Sequence, residues 1–173
     1  MACALTQAYA LDCSDSVGGI KNVYICALGD ISSYTAASGA VTAVSMNAGK
    51  TFYKYELEKE TGEFSENEPH NAQNGTLYYE PMIKFNVRKL QTSLRNELNQ
   101  MAKLRLVAVV LDRNGNYWMA GINNGLEKLS SKSQSGKGFG DFNGYEIELQ
   151  GKEEQPMYSI SSSVLTGIVT PGL

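Results

Sequence analysis

From Leu104 to Gly125 the chain reads LRLVAVVLDRNGNYWMAGINNG. Leu104 to Leu111 is apolar on both faces of an extended chain, which predicts a strand buried on both sides. Asn114-Gly115 then offers the positive φ that tight hairpin turns demand, and Tyr117 to Ile122 reads as the returning strand. The same dipeptide recurs at Asn74-Gly75, Asn124-Gly125 and Asn143-Gly144, each between strand-like segments. Four such steps predict a mainly β, antiparallel protein.

Just upstream, KLQTSLRNELNQMAK (89–103) carries Leu90, Leu94, Leu98 and Met101 on one stripe. It predicts the single α-helix, flanking one face of the buried strand. Further upstream, Val23 to Leu28, Val41 to Met46, Phe52 to Glu58 and Thr76 to Val87 read as strands. In Phe52 to Glu58, Tyr53, Tyr55 and Leu57 alternate with polar positions. Pro81 cannot donate to a ladder and implies an edge or a bulge. Residues 29–39 are Ser/Gly-rich and read as a loop, and 59–75 as a long acidic excursion. Downstream, 130–141 reads as flexible, Tyr145 to Leu149 as an alternating strand and Met157 to Ile160 as a last one. The organisation expected is an N-terminal arm (1–22), a β-sandwich domain (23–160) and a C-terminal tail (161–173) with little reason to fold alone.

The 173 residues suit one domain. Only 19% of them are charged, which hints at surface covered by assembly. A net charge of −3 without a basic patch disfavours tight nucleic-acid binding. Cys3, Cys13 and Cys26 show no metal or disulfide spacing and read as small buried hydrophobes in a reduced compartment. The N-terminus lacks a positive n-region, and Asp12 and Asp15 follow closely, so it reads poorly as a signal peptide. No apolar window is long enough to predict a membrane span.

Chemistry-bearing constellations are absent from the sequence pattern. His70 is the sole histidine; beside Pro69 in a polar stretch it reads as a solvated loop residue, which leaves no Ser-His or Cys-His device and no multi-His metal site. Gly49-Lys50-Thr51 lacks the earlier glycine and the following helix of a phosphate loop. Gly136-Lys137-Gly138-Phe139-Gly140 lacks the spacing of a nucleotide loop. Asp112, Asn114 and Asn116 are better explained by a hairpin turn than by calcium. Trp118 reads as core. The chain is therefore expected to be no enzyme, with no catalytic residue, no cofactor and no metal. Glu56, Glu58 and Glu60 are the one charged set that invites a role: on a shared strand face they would form a negative surface that repels a polyanion, or simply a solvated edge.

FYKYELEKETGEFSE (52–66), the run from Asn74 through Leu129 and SGKGFGDFNGYEIELQGKEEQP (135–156) occur in a familiar order. The markers are Tyr55-Glu56-Leu57, Arg95 through Leu106, Asp112 through Trp118 and Gly140 through Tyr145. In these the chain, over about 20–165, resembles the tail-tube proteins of tailed bacteriophages and the similar ring proteins below the portal. The resemblance implies an antiparallel β-sandwich or squashed barrel with one flanking helix. It also implies hexameric rings whose sheets join around a lumen, stacked into a tube that DNA passes through transiently and without sequence preference. Its partners would be itself and other phage tail proteins, with no membrane. Its place would be the virion tail, assembled in the host bacterial cytoplasm. Glu56, Glu58 and Glu60 would then face the lumen. The rival expectations are a head-tail connector ring, a tube of a contractile injection system, and a monomeric ligand-binding β-sandwich.

Overall fold

The computed structural model describes residues 7–170; Cys3, the first six residues of the expected arm and the last three of the expected tail lie outside them. In chain order the strands are β1 (Ile20–Ala27), β2 (Ile31–Ala37), β3 (Ala40–Met46), β4 (Tyr53–Glu56), β5 (Gly62–Asn67), β6 (His70–Asn71), β7 (Thr76–Leu77) and β8 (Glu80–Arg88). Helix α1 (Thr92–Met101) follows, then β9 (Leu106–Asp112), β10 (Tyr117–Ala120), β11 (Leu126–Gln134), β12 (Gly144–Gly151), β13 (Tyr158–Ile160) and the short α2 (Ser162–Thr166).

The hub is β9. Six consecutive residues, Leu106 to Leu111, are buried, as an all-apolar strand requires. Leu106, Ala108 and Val110 point into one core with Ile83, Phe85, Ile147, Leu149, Leu98 and Met101. Val107, Val109 and Leu111 point into a second core with Val41, Phe52, Met119, Ile160 and Leu165. β1 lies antiparallel beside β9 along its whole length and divides in the same way, Ile25 to the first core and Tyr24 and Cys26 to the second. A register shift between Ile20 and Asn22 puts Ile20 and Val23 in the same core despite their odd spacing.

On its other edge β9 takes β10 along Ala108 to Leu111 and β11 at Leu106. The sheet thus forks. One branch runs β10-β13-β3-β2 and the other β11-β12-β8-β5. Ladders are antiparallel except β13 with β3, which is parallel. The architecture is a mainly β, sandwich-like fold flanked by α1. The squashed-barrel alternative is corrected: the eleven-stranded sheet ends in separate edge strands and is mixed, not closed and not wholly antiparallel.

Several element expectations also change. α1 starts at Thr92, not Lys89, because Lys89 adopts φ 66° and so leaves Leu90 outside the helix, 43% exposed. Residues 31–37, expected as loop, form β2, and residues 62–67 of the acidic excursion form β5, an edge strand on β8. Residues 130–134 of the expected flexible stretch belong to β11. Pro81 lies in an interior strand, but at its start, beyond the β12 ladder that begins at Met82. The tail packs on the domain rather than folding alone. Leu165 of α2 is buried, and the Phe52 amide donates to the Ile168 carbonyl at 2.8 Å while the Thr170 amide donates to Phe52 at 3.0 Å. That pairing closes the second core over the fully buried Phe52 ring.

Candidate assembly surface

The branch β11-β12-β8-β5 presents two faces. Ile83, Phe85, Ile147 and Leu149 point inward to the first core, so the residues between them point out. Register makes rows of these outer side chains: Glu63, Lys84, Glu148 and Ser130 cross the sheet in one line, and Asn86, Glu146 and Lys132 in the next. Lys84 Nζ pairs with Glu148 at 3.2 Å, and Gln134 Nε2 donates to Glu146 at 2.8 Å. The face forms the floor of a groove of about 850 Å³, with Glu60 and Glu63 at one side and Gly18 and Gly19 among its lining. Four carboxylates (Glu60, Glu63, Glu146, Glu148) against two lysines (Lys84, Lys132) make it mildly acidic.

Both ends of this branch lack ladder partners among the described residues. β5 pairs only with β8, and β11 beyond Leu126 pairs only with β12. Strand directions alternate through β5, β8, β12 and β11, so β5 and β11 run opposite ways. Lys128 bends back beneath β11 and donates to the Leu98 carbonyl at 2.7 Å, tying α1 to the inner side of that strand near the helix's negative end.

The glutamates singled out by sequence are not one face. β4 stops at Glu56, so Glu58 and Glu60 lie beyond the strand. Glu56 accepts from Lys54 Nζ at 2.5 Å; that hydrogen bond, with the attraction between the two charges, lowers the Glu56 pKa. Glu58 pairs with Arg88 at 3.1 Å. Only Glu60, in a left-handed turn at φ 61°, reaches the groove.

The other candidates also settle into structure. His70 is an exposed residue of β6. Lys50 pairs with Asp30 at 3.2 Å. Asp141 Oδ2 accepts the Lys137 and Gly138 amides at 2.8 and 2.7 Å, which folds the glycine-rich stretch into a turn. Asp112 Oδ1 accepts the Asn114 and Asn116 amides, both at 2.8 Å, and Oδ2 accepts Asn116 Nδ2 and Trp118 Nε1 at 3.2 and 3.3 Å. The carboxylate is thus occupied by the hairpin itself, and Trp118 is half-buried against the first core. Cys26 is buried as expected, which pushes its thiol pKa up, with Asp30 adding to the effect, whereas Cys13 is exposed because it lies in the arm ahead of β1.

Sequence reasoning missed Glu153, which is 4% exposed. Its carboxylate accepts the consecutive amides of Asn123, Asn124 and Gly125 at 3.2, 3.0 and 3.2 Å. It thereby pins the bend where the sheet forks. Nothing in the surrounding KEEQP marks it as buried, since the amides that hold it are thirty residues distant at most.

No protein-family model, no curated protein and no solved structure matches the chain. Among the described residues no helix is long and apolar enough to cross a membrane, and no group of three or more acidic, histidine or cysteine side chains is placed to hold a metal.

Proposed function

We propose that this chain is a structural subunit of a bacteriophage tail, assembling into hexameric rings that stack into a tube for DNA passage. The observation that carries the reading is the four-stranded branch with unpaired edges at both ends. A free edge is an aggregation hazard unless something covers it. Because β11 and β5 run in opposite directions, β5 of a second copy can add to β11 antiparallel, and the operation repeats. Such a head-to-tail contact closes into a ring when the rotation allows.

Charge supports the same contact. A register that sets Lys132 beside Glu63 of the partner subunit continues the acid–base alternation already present across the face. The mildly acidic outer groove would then form the lumen wall, where it repels a passing polyanion rather than retaining it. Within this reading the lumen carboxylates are Glu60, Glu63, Glu146 and Glu148. Glu56 and Glu58, which lie outside that groove, have a lesser part. The subunit would belong to the virion tail, built in the cytoplasm of the bacterial host.

Electron microscopy of the purified protein tests the proposal. Rings or tubes with about six-fold symmetry support it; discrete monomers at all concentrations and salt conditions defeat it. One ring per particle, rather than a stack, would turn the reading to a head-tail connector.

A further inference from the structure

We propose that Asn74-Gly75 is a site of spontaneous covalent modification, converting to aspartyl and isoaspartyl forms while the other three Asn-Gly steps stay intact in the folded protein. The chemistry needs no co-reactant but water. The deprotonated backbone nitrogen of Gly75 attacks Asn74 Cγ, a C–N bond forms, and the side-chain nitrogen leaves as ammonia. Water then opens the cyclic imide at either carbonyl, giving an aspartyl or an isoaspartyl link. The step requires a side chain free to swing, an unengaged glycine amide and room for the backbone to rotate. Exposure alone does not select the site, because all four asparagines are exposed.

Hydrogen bonding does select it. Asn114 is clamped in both directions, its Oδ1 accepting the Val17 amide at 2.8 Å and its Nδ2 donating to the Val17 carbonyl at 3.0 Å. Asn124 Nδ2 donates to the Lys152 carbonyl at 3.0 Å, and the attacking amide of Gly125 is already given to Glu153 Oε1 at 3.2 Å. Asn143 Oδ1 accepts the Leu90 amide at 3.2 Å, and Gly144 is buried within a ladder, paired with Arg88 and Gln134. At Asn74 only the main-chain amide is held, by Asn71 Oδ1 at 3.1 Å. Its side chain makes no hydrogen bond among the described residues, and the Gly75 amide makes none either. A Cβ on Gly75 would meet nothing within 4 Å.

The product matters where it forms. The step lies at the tip of the β6–β7 hairpin, which follows the acidic strand bearing Glu63 and Glu66, and conversion adds a further negative charge there. The isoaspartyl form also inserts a methylene into the main chain, which conflicts with the two-pair ladder His70–Leu77 and Asn71–Thr76.

The test is incubation of the purified chain at mildly alkaline pH, followed by proteolysis and mass spectrometry of the four peptides. In the folded protein Asn74 should convert roughly tenfold or more faster than the other three, whose reaction must await local opening. In urea-unfolded protein all four should convert at similar rates. Equal rates in the folded protein, or earlier loss at Asn114, Asn124 or Asn143, would overturn the proposal. Asn74→Gln should abolish the early acidic species on ion exchange, and their persistence in that variant would also overturn it.

Discussion

Three single residues carry more of this fold than their neighbours, each for a different reason. Gly144 opens β12, and a Cβ there would stand 2.1 Å from the Val87 carbonyl oxygen. Gly144→Ala should therefore destabilise the protein by about 1–3 kcal/mol through forced backbone shifts, read as a lower urea midpoint with an unchanged slope. Glu153 is a buried carboxylate without a cationic partner among the described residues, satisfied by three amides. Of these donors only Gly125 is fully buried, so Glu153→Ala should cost roughly 1–3 kcal/mol, the penalty of one dry donor, while water takes the others. Asp112 sets a pH dependence. Partial desolvation works against its charge, but the hydrogen bonds from Asn116, Trp118 and Asn114 outweigh it and hold the carboxyl below its ordinary value of 3.8. The folded state thus binds this proton less readily than the unfolded chain does. Its contribution is complete above the ordinary value and is lost as pH falls toward the folded value. Replacing it, Asp112→Asn, should flatten the acid limb of the stability curve below about pH 4, as followed by circular dichroism.

At the scale of elements, what the sequence showed and what it hid divide by burial. β9 was legible because six buried positions leave an unbroken apolar run, and β12 because Tyr145, Ile147 and Leu149 face a core while Glu146 and Glu148 face water. β2 and β5 were not: β2 is mostly exposed and, apart from Ile31 and Tyr34, built of Ser, Thr and Ala, so no period of two marks it, and β5 is half glutamate and asparagine on an edge. The Asn-Gly signal was right in kind more often than in form. Asn114-Gly115 makes a genuine tight hairpin, with Gly115 at φ 90° after a turn closed from Asp112, a three-residue loop of the familiar type. Asn74-Gly75 turns a hairpin of two-residue strands. Asn124-Gly125 joins strands that do not pair with each other, and Gly144 is needed for close approach rather than for a turn. α2 escaped notice because five residues carry too little periodicity to stand out. Its place gives a direct test: Phe52→Ala should cost about 3–5 kcal/mol by removing the ring that the α2 segment covers, measured by chemical denaturation.

The candidate surface was legible only in part at any scale. Sequence pointed to an acidic feature, yet the groove takes Glu60 and Glu63 from one stretch and Glu146 and Glu148 from another more than eighty residues away, a juxtaposition that only strand register creates. For the whole molecule, the proposed ring contact predicts a charge reversal experiment. Lys132→Glu should weaken assembly, each contact losing roughly 0.2–1 kcal/mol, multiplied around a closed ring. Adding Glu63→Lys should restore it, as read by sedimentation velocity; failure of the double variant to recover would move the contact away from β11 and β5.

The forked sheet has one more consequence, and it concerns time. Because β9 lends alternate side chains to both cores, neither core can loosen while that strand stays in place, and neither can persist once it leaves. Two hydrophobic clusters therefore share one clock. The amides of β9 and β1 should be the slowest in the chain to exchange with deuterium, released only when the entire molecule opens, while β2 and β5 exchange early from their unguarded edges.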